Sequence, residues 1–253
     1  MRVTFLGTGT SQGVPPIGCT SPVCLSDNPK DKRLRASIHV EVEGLSLVID
    51  AGPDFRYQLL RAGITRIDGL IFTHEHRDHT GGLDDIRPFN YLQNGPVDVY
   101  LHERVLNVFR RQYDYIFDPN PYPGIPQVNW HLIDLQPFMI KGLHIIPIEV
   151  MHYRLPVLGF RIGDFTYITD ANRIGPSELD KARGSKVLVL NALRHEPHIS
   201  HFTLEEAVAV AHEIGANKTY FTHMSHQIGF HEEVNASLPE GMALAYDNQV
   251  VIL

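Results

Sequence analysis

The stretch IFTHEHRDHTGG, residues 71–82, places three histidines and two carboxylates within six consecutive positions, 74–79. Imidazoles and carboxylates at this density suit Zn²⁺, and they also suit Mn²⁺ or Fe. The alternative, a polar loop of unrelated histidines, requires the HxHxDH spacing to arise by chance. The sequence therefore predicts a metal site at these residues.

Further ligands follow strand-like segments elsewhere in the chain. His74, Asp170 and His223 each come directly after an apolar segment that ends in threonine, and His152 follows the apolar segment 144–150. Ligands at the carboxyl ends of successive strands converge on one crevice in α/β folds. Since the ligands at 74–79 can barely complete one tetrahedral site, the additional ones predict a centre with two metal ions.

Short β-rich segments alternate with helical patterns along the whole chain. Residues 203–214 are the clearest helix, because Thr203 and Glu206 fit a capping box and Gly215 can end the helix. The proline- and glycine-rich stretches 13–18 and 119–126 are expected to be loops. We expect a single domain over residues 1–253, with a strand at the start of the chain, further strands at 36–42, 45–50, 68–73, 97–101, 144–148, 166–169, 186–190 and 218–222, and helices at 54–62, 103–116, 176–183 and 203–214.

Composition and charge are those of an ordinary globular protein. Hydrophobic residues make up 43% of the 253 residues, charged residues 20%, and the formal net charge is −7. This acidic balance argues against a nucleic-acid partner, which usually requires a basic face. No apolar segment reaches the roughly 20 residues of a membrane span, and the first residues lack a signal-peptide pattern. We therefore expect a cytoplasmic protein, and its two cysteines are too few for a disulfide framework.

The HxHxDH pattern, followed by separate His, Asp and His ligands after later strands, resembles the metallo-β-lactamase superfamily. The stretches TGTSQGVPPIGC (8–19), LVIDAG (47–52) and FTHMSHQ (221–227) are similar to the cyclic phosphodiesterases of the carbon–phosphorus lyase pathway. The likeness covers nearly the whole chain. It implies an α/β fold, a four-layer αβ/βα sandwich. It also implies a homodimeric hydrolase whose substrate is a small phosphodiester, such as a ribose 1,2-cyclic phosphate.

The same resemblance implies roles for individual residues. It implies that two divalent ions, Zn²⁺ or Mn²⁺, share Asp170 as a bridging ligand. It also implies that Asp50 supports the ligand loop by hydrogen bonding, whereas from the residues alone Asp50 could instead cap the turn at Ala51-Gly52. The implied ligands are His74, His76 and His152 for the first ion and Asp78, His79 and His223 for the second.

Hydrolysis of a phosphodiester requires an attacking oxygen and a proton for the leaving alkoxide. The resemblance implies His201, in ISHFTLEEA, as the proton donor, while from the sequence alone His195 and His198 compete for this role. Asp78 is expected to orient or deprotonate the attacking hydroxide.

Other reactions of the same fold stay open as alternatives. A tRNA 3′-processing nuclease usually carries a basic protruding arm, which this chain lacks, and only 17 residues (153–169) separate His152 from Asp170. That spacing leaves no room for the large insertion of RNA-cleaving relatives. Diiron redox relatives typically have Glu at the position of His76. Thioester or lactam hydrolysis would use the same centre.

Cys19, Cys24 and His226 form a further candidate site. In the resembling enzymes three cysteines and this histidine bind a structural zinc, and here Ser21 occupies the middle cysteine position. The alternatives are a three-ligand structural Zn²⁺ site, two free thiols, or a disulfide, which a reducing cytosol disfavours. The aromatic and proline-rich segment 109–126 is either a lid or dimer contact, or a helix whose aromatic residues pack on the core.

Overall fold

Two mixed β-sheets form the centre of the protein. The computed structural model describes residues 1–120 and 122–253. The strands of the first sheet are β1 (Arg2–Gly7), β2 (Ser37–Val42), β3 (Leu45–Ile49), β4 (Gly69–Ile71), β5 (Val97–Leu101), β6 (Val128–Leu132) and β15 (Val250–Ile252). They lie in the order β15-β1-β2-β3-β4-β5-β6, with β3 to β6 parallel.

The second sheet is built from the C-terminal half of the chain. Its strands are β7 (Phe138–Ile140), β8 (Leu143–His152), β9 (Leu155–Ile162), β10 (Phe165–Ile168), β11 (Arg173–Ile174), β12 (Val187–Asn191), β13 (Lys218–Thr222) and β14 (Met242–Leu244). They lie in the order β11-β8-β9-β10-β12-β13-β14, and β7 pairs with β8. Strands β10, β12, β13 and β14 run parallel, so their carboxyl ends reach the same edge.

Helices cover the outer faces of both sheets. They are α1 (Pro22–Leu25), α2 (Phe55–Ala62), α3 (Arg77–Thr80), α4 (Arg87–Gln93), α5 (Glu103–Gln112), α6 (Pro176–Ala182), α7 (Leu204–Ile214) and α8 (His231–Ser237). Short 3₁₀ turns lie at Pro29–Asp31, Leu83–Ile86, Asp114–Phe117 and His226–Ile228. Within the described residues, no helix is long and apolar enough to cross a membrane.

Three apolar clusters separate four layers. One cluster, which includes Phe5, Ile49 and Phe160, lies between the two sheets. Another cluster lies between the first sheet and helices α2, α4 and α5. The remaining cluster lies between the second sheet and helices α6, α7 and α8. Burial of these side chains is the main favourable term in folding. The arrangement is the four-layer αβ/βα sandwich that the sequence predicts, and the predicted fold class is confirmed.

Most predicted elements occur within one or two residues of their expected bounds. Helix α7 begins with the predicted capping box: the Thr203 hydroxyl accepts from Glu206 N–H, and the Glu206 carboxylate accepts from Thr203 N–H. Gly215 ends the helix at φ 72°. Strand β9 was not predicted, because Pro156 and Gly159 interrupt its apolar pattern.

The predicted helix 103–116 is too long. Helix α5 ends at Gln112, and Asp114–Phe117 forms a 3₁₀ turn. Tyr113 leaves the helix so that its hydroxyl can donate to the Thr80 carbonyl (3.0 Å) while its ring packs edge-on against Phe109. The described part of segment 109–126 therefore begins as a core-packed helix. Pro121, which falls in this segment and in the predicted loop 119–126, lies outside the described residues.

Candidate metal centre

The predicted ligands lie at the shared edge where parallel strands of both sheets end. Asp50 comes directly after β3 and His223 directly after β13, and Asp170 lies two positions after the end of β10. These three residues have positive φ angles of 67°, 57° and 57°. Residues other than glycine rarely adopt this left-handed backbone conformation, because it costs them roughly 1–2 kcal/mol each. At each of these three strand ends the backbone turns sharply and directs the side chain into the crevice.

The HEHRDH loop is held against the LVIDAG segment by backbone contacts. Ala51 N–H donates to the His79 carbonyl (2.8 Å), and Gly82 N–H donates to the Ala51 carbonyl (2.8 Å). A Cβ atom at Gly52 would lie 2.0 Å from the Asp78 carbonyl oxygen, so only glycine fits there. This close approach explains why the two motifs occur together.

The buried carboxylate of Asp50 organises two of the histidines. It accepts hydrogen bonds from Thr73 N–H (2.9 Å), from the Thr73 hydroxyl (2.9 Å) and from His79 Nδ1–H (2.7 Å). Because that hydroxyl donates to Asp50, it accepts from His74 Nδ1–H (2.9 Å). The Asp50 carboxylate therefore contacts the ligand loop directly, as the resemblance implies.

These contacts fix the tautomers of three imidazoles. His74 and His79 are protonated at Nδ1, and His152 Nδ1–H donates to the Ser200 carbonyl (2.8 Å). In its neutral form each ring therefore keeps a lone pair on Nε2, and this is the form that binds a metal. Because the neighbouring carboxylates raise the pKa of His79, this ring must release a proton when a metal binds. In the part of the chain that the structure describes, Nε2 of His74 and Nε2 of His79 are buried and have no hydrogen-bond partner. Burying such atoms is costly unless something binds them.

Four residues match the predicted second ion: Asp78, His79, Asp170 and His223. His79 Nε2 lies 3.1 Å from an Asp170 oxygen and 3.3 Å from an Asp78 oxygen. His223 Nε2 lies 3.3 Å from Asp170 and 3.6 Å from Asp78. Ligand atoms about 2.0–2.1 Å from a tetrahedral Zn²⁺ lie about 3.3 Å apart. The donor set and its spacing therefore fit a divalent ion.

The histidines of the predicted first ion also lie together. The rings of His74 and His76 are 4.6 Å apart, and His152 lies 5.1 Å from His76, centre to centre. The group of ligand atoms within 4.8 Å of one another that includes His152, however, joins it to Asp170 and His201. Asp170 thus belongs to both groups, as a bridging ligand must. The inclusion of His201 was not predicted, because nothing in its local sequence distinguishes a ligand position from a nearby donor.

The structure separates the three histidines that compete as proton donors. His201 is buried, and its Nδ1 lies 3.8 Å from an Asp170 oxygen. His198 is half-buried behind it, with ring centres 5.1 Å apart. His195 is exposed, and its Nε2 lies 2.9 Å from the Ile228 carbonyl oxygen. Only His201 directly contacts the candidate ligands His152 and His223, at ring distances of 4.6 and 4.9 Å.

The electrostatics of the centre are those of a site with three carboxylates among buried imidazoles. Burial opposes ionisation of Asp170, but His223 and His79 outweigh it and hold the pKa of this carboxyl well below its usual range. Burial also disfavours the charged form of His79, and Asp170, Asp78 and Asp50 outweigh it, so its pKa is raised. For His201 burial dominates and lowers the pKa to about 3.

Cys19, Cys24 and His226 are brought together near this centre. Their ligand atoms lie within 4.8 Å of one another, and His226 Nδ1 is buried with no hydrogen-bond partner among the described residues. Hydrogen bonding with Cys24 and Ser21 lowers the pKa of Cys19, whereas burial raises the pKa of Cys24, so Cys19 is the thiol of the pair that ionises first. Ser21 accepts a hydrogen bond from Cys24 N–H (3.4 Å) and caps α1. Ser21 therefore contributes a cap hydrogen bond to the loop that carries both cysteines.

A protein-family model matches most of the chain. The family described as "Beta-lactamase superfamily domain" matches residues 46–224. The chain belongs to the metallo-β-lactamase superfamily. Within the superfamily, a solved structure described as a "New Diphosphatase from the PhnP Family" is 40% identical. The match covers 100% of this chain and 97% of that one, with a TM-score of 0.93, so the chain is a PhnP-like member.

Two curated relatives carry different names. An octanoyltransferase of Porphyromonas gingivalis is 38% identical over all of this metallo-β-lactamase-fold chain, which spans only 52% of that protein. A ribonuclease Z of Salinibacter ruber is 38% identical over 80 residues, 31% of this chain and 23% of that protein. The superfamily and the His/Asp centre are those of a metal-dependent hydrolase.

Proposed function

We propose that the protein is a phosphodiesterase that requires two divalent ions and opens a small cyclic phosphate, such as a ribose 1,2-cyclic phosphate. The observation that carries this proposal is the full-length similarity to a PhnP-family diphosphatase, at 40% identity. The site supports it, because Asp78, His79, Asp170 and His223 form one group of possible ligands and Asp170 also lies in a second group with His152 and His201. The rings of His74 and His76 lie beside that of His152. When bound, two such ions lower the pKa of a water molecule and stabilise charge on phosphate oxygens.

The protein's own residues would position and protonate the reacting groups. We assign the first ion to His74, His76 and His152, the second to Asp78, His79 and His223, and both to Asp170. The Asp78 carboxylate lies 3.3 Å from His79 Nε2 and 3.6 Å from His223 Nε2. Its proposed role is to orient the attacking water or to accept its proton.

His201 is the proposed donor to the leaving alkoxide. Its Nδ1 lies 3.8 Å from an Asp170 oxygen and has no hydrogen-bond partner among the described residues. Burial keeps the ring neutral, because it lowers the pKa to about 3. A phosphate anion beside the ring favours the imidazolium. Substrate binding would therefore raise this pKa and protonate His201 when a donor is needed.

A panel of substrates tests the proposal. Purified protein loaded with Zn²⁺ or Mn²⁺ is assayed on a ribose 1,2-cyclic phosphate, bis(p-nitrophenyl) phosphate, a β-lactam and a precursor tRNA, with chelated protein as the control. We expect metal-dependent hydrolysis of the two small phosphodiesters. Faster cleavage of the precursor tRNA than of either small substrate would favour the nuclease alternative instead.

A second candidate function is hydrolysis of an acyl thioester. It is favoured by the 38% identity between this whole chain and about half of a protein named octanoyltransferase. The same centre can attack an acyl carbon in place of phosphorus. An octanoyl thioester added to the panel decides between the two, because turnover of the thioester without turnover of phosphodiesters would replace the first proposal.

We also propose that Cys19, Cys24 and His226 bind a third, structural Zn²⁺. The support is their mutual distance and the unpaired nitrogen of His226. Because structural zinc usually has four protein ligands, we expect the Ser21 hydroxyl or a water molecule as the fourth.

A further inference from the structure

Asn191 is a fully buried amide that no step of the proposed hydrolysis uses. It ends β12, which lies between β10 and β13 in the second sheet. In the register of that sheet Asn191 pairs with Thr222, the residue before His223. The middle strand therefore ends in a side chain that is not a metal ligand, whereas its two neighbours lead into Asp170 and His223.

The amide binds the backbone beside the bridging carboxylate. Its Oδ1 accepts from Ala171 N–H (2.7 Å), and its Nδ2 donates to the Ala171 carbonyl (2.9 Å). Ala171 directly follows Asp170, whose φ of 57° is unfavourable for an aspartate. One side chain thus binds both polar backbone groups of Ala171. Asn191 therefore fixes the orientation of the peptide group between Asp170 and Ala171, and with it the direction of the Asp170 side chain.

The same short segment also contacts the loop that carries His201. The Ala171 carbonyl accepts a second hydrogen bond from Phe202 N–H (2.8 Å), and Leu193 N–H donates to the Phe202 carbonyl (2.9 Å). Phe202 is the residue after His201. The direction of Asp170 and the position of His201 are thus set by one connected group of hydrogen bonds, which the Asn191 side chain completes.

We propose that Asn191 is a positioning residue for the metal centre. It holds Asp170 in the orientation that lets the carboxylate reach both ligand groups, and through Phe202 it keeps His201 beside that carboxylate. The proposal rests on the proposed metal centre, and it does not depend on which ester the centre hydrolyses.

The test compares Asn191→Leu with a matched change elsewhere. Leucine keeps the approximate shape of the side chain and removes both hydrogen bonds. Asn90 provides the control, because it is buried and clamps the backbone of Gln127 in the same manner, at 2.8 and 2.9 Å. Neither Asn90 nor Gln127 is a candidate ligand or a sequence neighbour of one. Asn191→Ser is a second variant, with room for a water molecule if leucine prevents folding.

Three measurements are made on metal-loaded protein: the visible spectrum of the Co²⁺ form, Zn²⁺ affinity by chelator competition, and kcat and KM on bis(p-nitrophenyl) phosphate. A displacement of about 1 Å at a reacting group costs about 10²-fold in rate. We therefore expect Asn191→Leu to lower kcat about 10²-fold with KM changed less than about threefold. We also expect an altered Co²⁺ spectrum and weaker Zn²⁺ binding, whereas Asn90→Leu should change only the Tm.

A double variant separates action through Asp170 from a general loss of stability. If Asn191 acts through Asp170, then Asn191→Leu has little further effect on Zn²⁺ affinity once Asp170→Ala is present. Equal Co²⁺ spectra and Zn²⁺ affinities for Asn191→Leu, Asn191→Ser and Asn90→Leu would overturn the proposal. A wild-type protein that binds two ions but hydrolyses no phosphodiester would refute the proposed function, and the spectra would still decide the role of Asn191.

Discussion

Replacing Asp50 with asparagine should change which nitrogen of His79 carries the proton. The carboxylate is fully buried and accepts from Thr73 N–H through Oδ1 and from His79 Nδ1–H through Oδ2. In Asp50→Asn the amide oxygen must stay opposite Thr73 N–H, since that buried donor would otherwise lose its partner. The NH₂ group then faces His79 Nδ1, which must become an acceptor. The proton moves to Nε2, the nitrogen that faces Asp78 and Asp170.

The expected loss of metal affinity can be worked from the hydrogen bond between His79 and the Asp50 carboxylate that is lost. A hydrogen bond to a charged group contributes about 1.5–3 kcal/mol. Since about 1.4 kcal/mol corresponds to a factor of ten, metal affinity should fall roughly 10- to 150-fold. Loss of a partner that orients a metal-binding histidine typically lowers metal affinity about 10- to 100-fold, and this range agrees with the one worked from the hydrogen bond. The ion assigned to Asp78, His79 and His223 should be affected most, because the Thr73 hydroxyl that orients His74 can still donate to the amide oxygen at the Oδ1 position (3.1 Å).

The assay is Zn²⁺ titration against a chromophoric chelator, in which we expect two affinities for the catalytic ions beside that of the proposed structural zinc. Asp31→Asn is the control, because Asp31 is also a buried carboxylate that accepts from a hydroxyl (Ser26, 2.6 Å) and a backbone N–H (His231, 2.7 Å). We expect Asp50→Asn to weaken one site about 10²-fold and Asp31→Asn to leave both unchanged. Two unchanged affinities in Asp50→Asn would show that this carboxylate does not set the His79 tautomer.

Four further results are expected. Asp170→Ala should lose at least one ion by metal analysis together with hydrolysis, and full occupancy with full activity would contradict its assignment as the bridge. His201→Ala should lower the rate roughly 10²–10⁴-fold for alkoxide leaving groups and less for nitrophenolate; an equal loss for both would exclude a role in leaving-group departure. Cys19→Ser should release one zinc and lower the Tm without affecting the two catalytic ions, whereas Ser21→Cys should tighten that zinc alone; a wild type that holds only two ions in excess zinc would exclude the third site. Burial lowers the pKa of His39 to about 4, so the folded state favours the neutral ring. The free energy of unfolding of metal-free protein should therefore fall by up to about 3 kcal/mol between pH 6.5 and pH 4. Urea unfolding should show a weaker pH dependence for His39→Gln, and identical pH profiles would refute this cause.

The sequence motifs and the family resemblance that they carry predicted the fold class, which is confirmed, and named seven candidate ligands. HxHxDH is a local pattern, and the ligands after later strands are marked by the apolar segments that precede them. Strand periodicity and the capping box at Thr203 are likewise local. Local patterns depend on backbone geometry within a few residues, so they are readable without knowledge of the fold.

The tertiary structure decided how these residues act on one another. Asp50 contacts His79 across 29 positions, and Asn191 holds Ala171 across 20 positions. His201, rather than His195, lies against Asp170, because the neighbouring Phe202 N–H donates a hydrogen bond to the Ala171 carbonyl. Such contacts depend on the order and register of the strands, which periodicity does not encode. The sequence therefore named the groups available for chemistry, and the alignment of strand ends determined their tautomers, their pKa values and their partners.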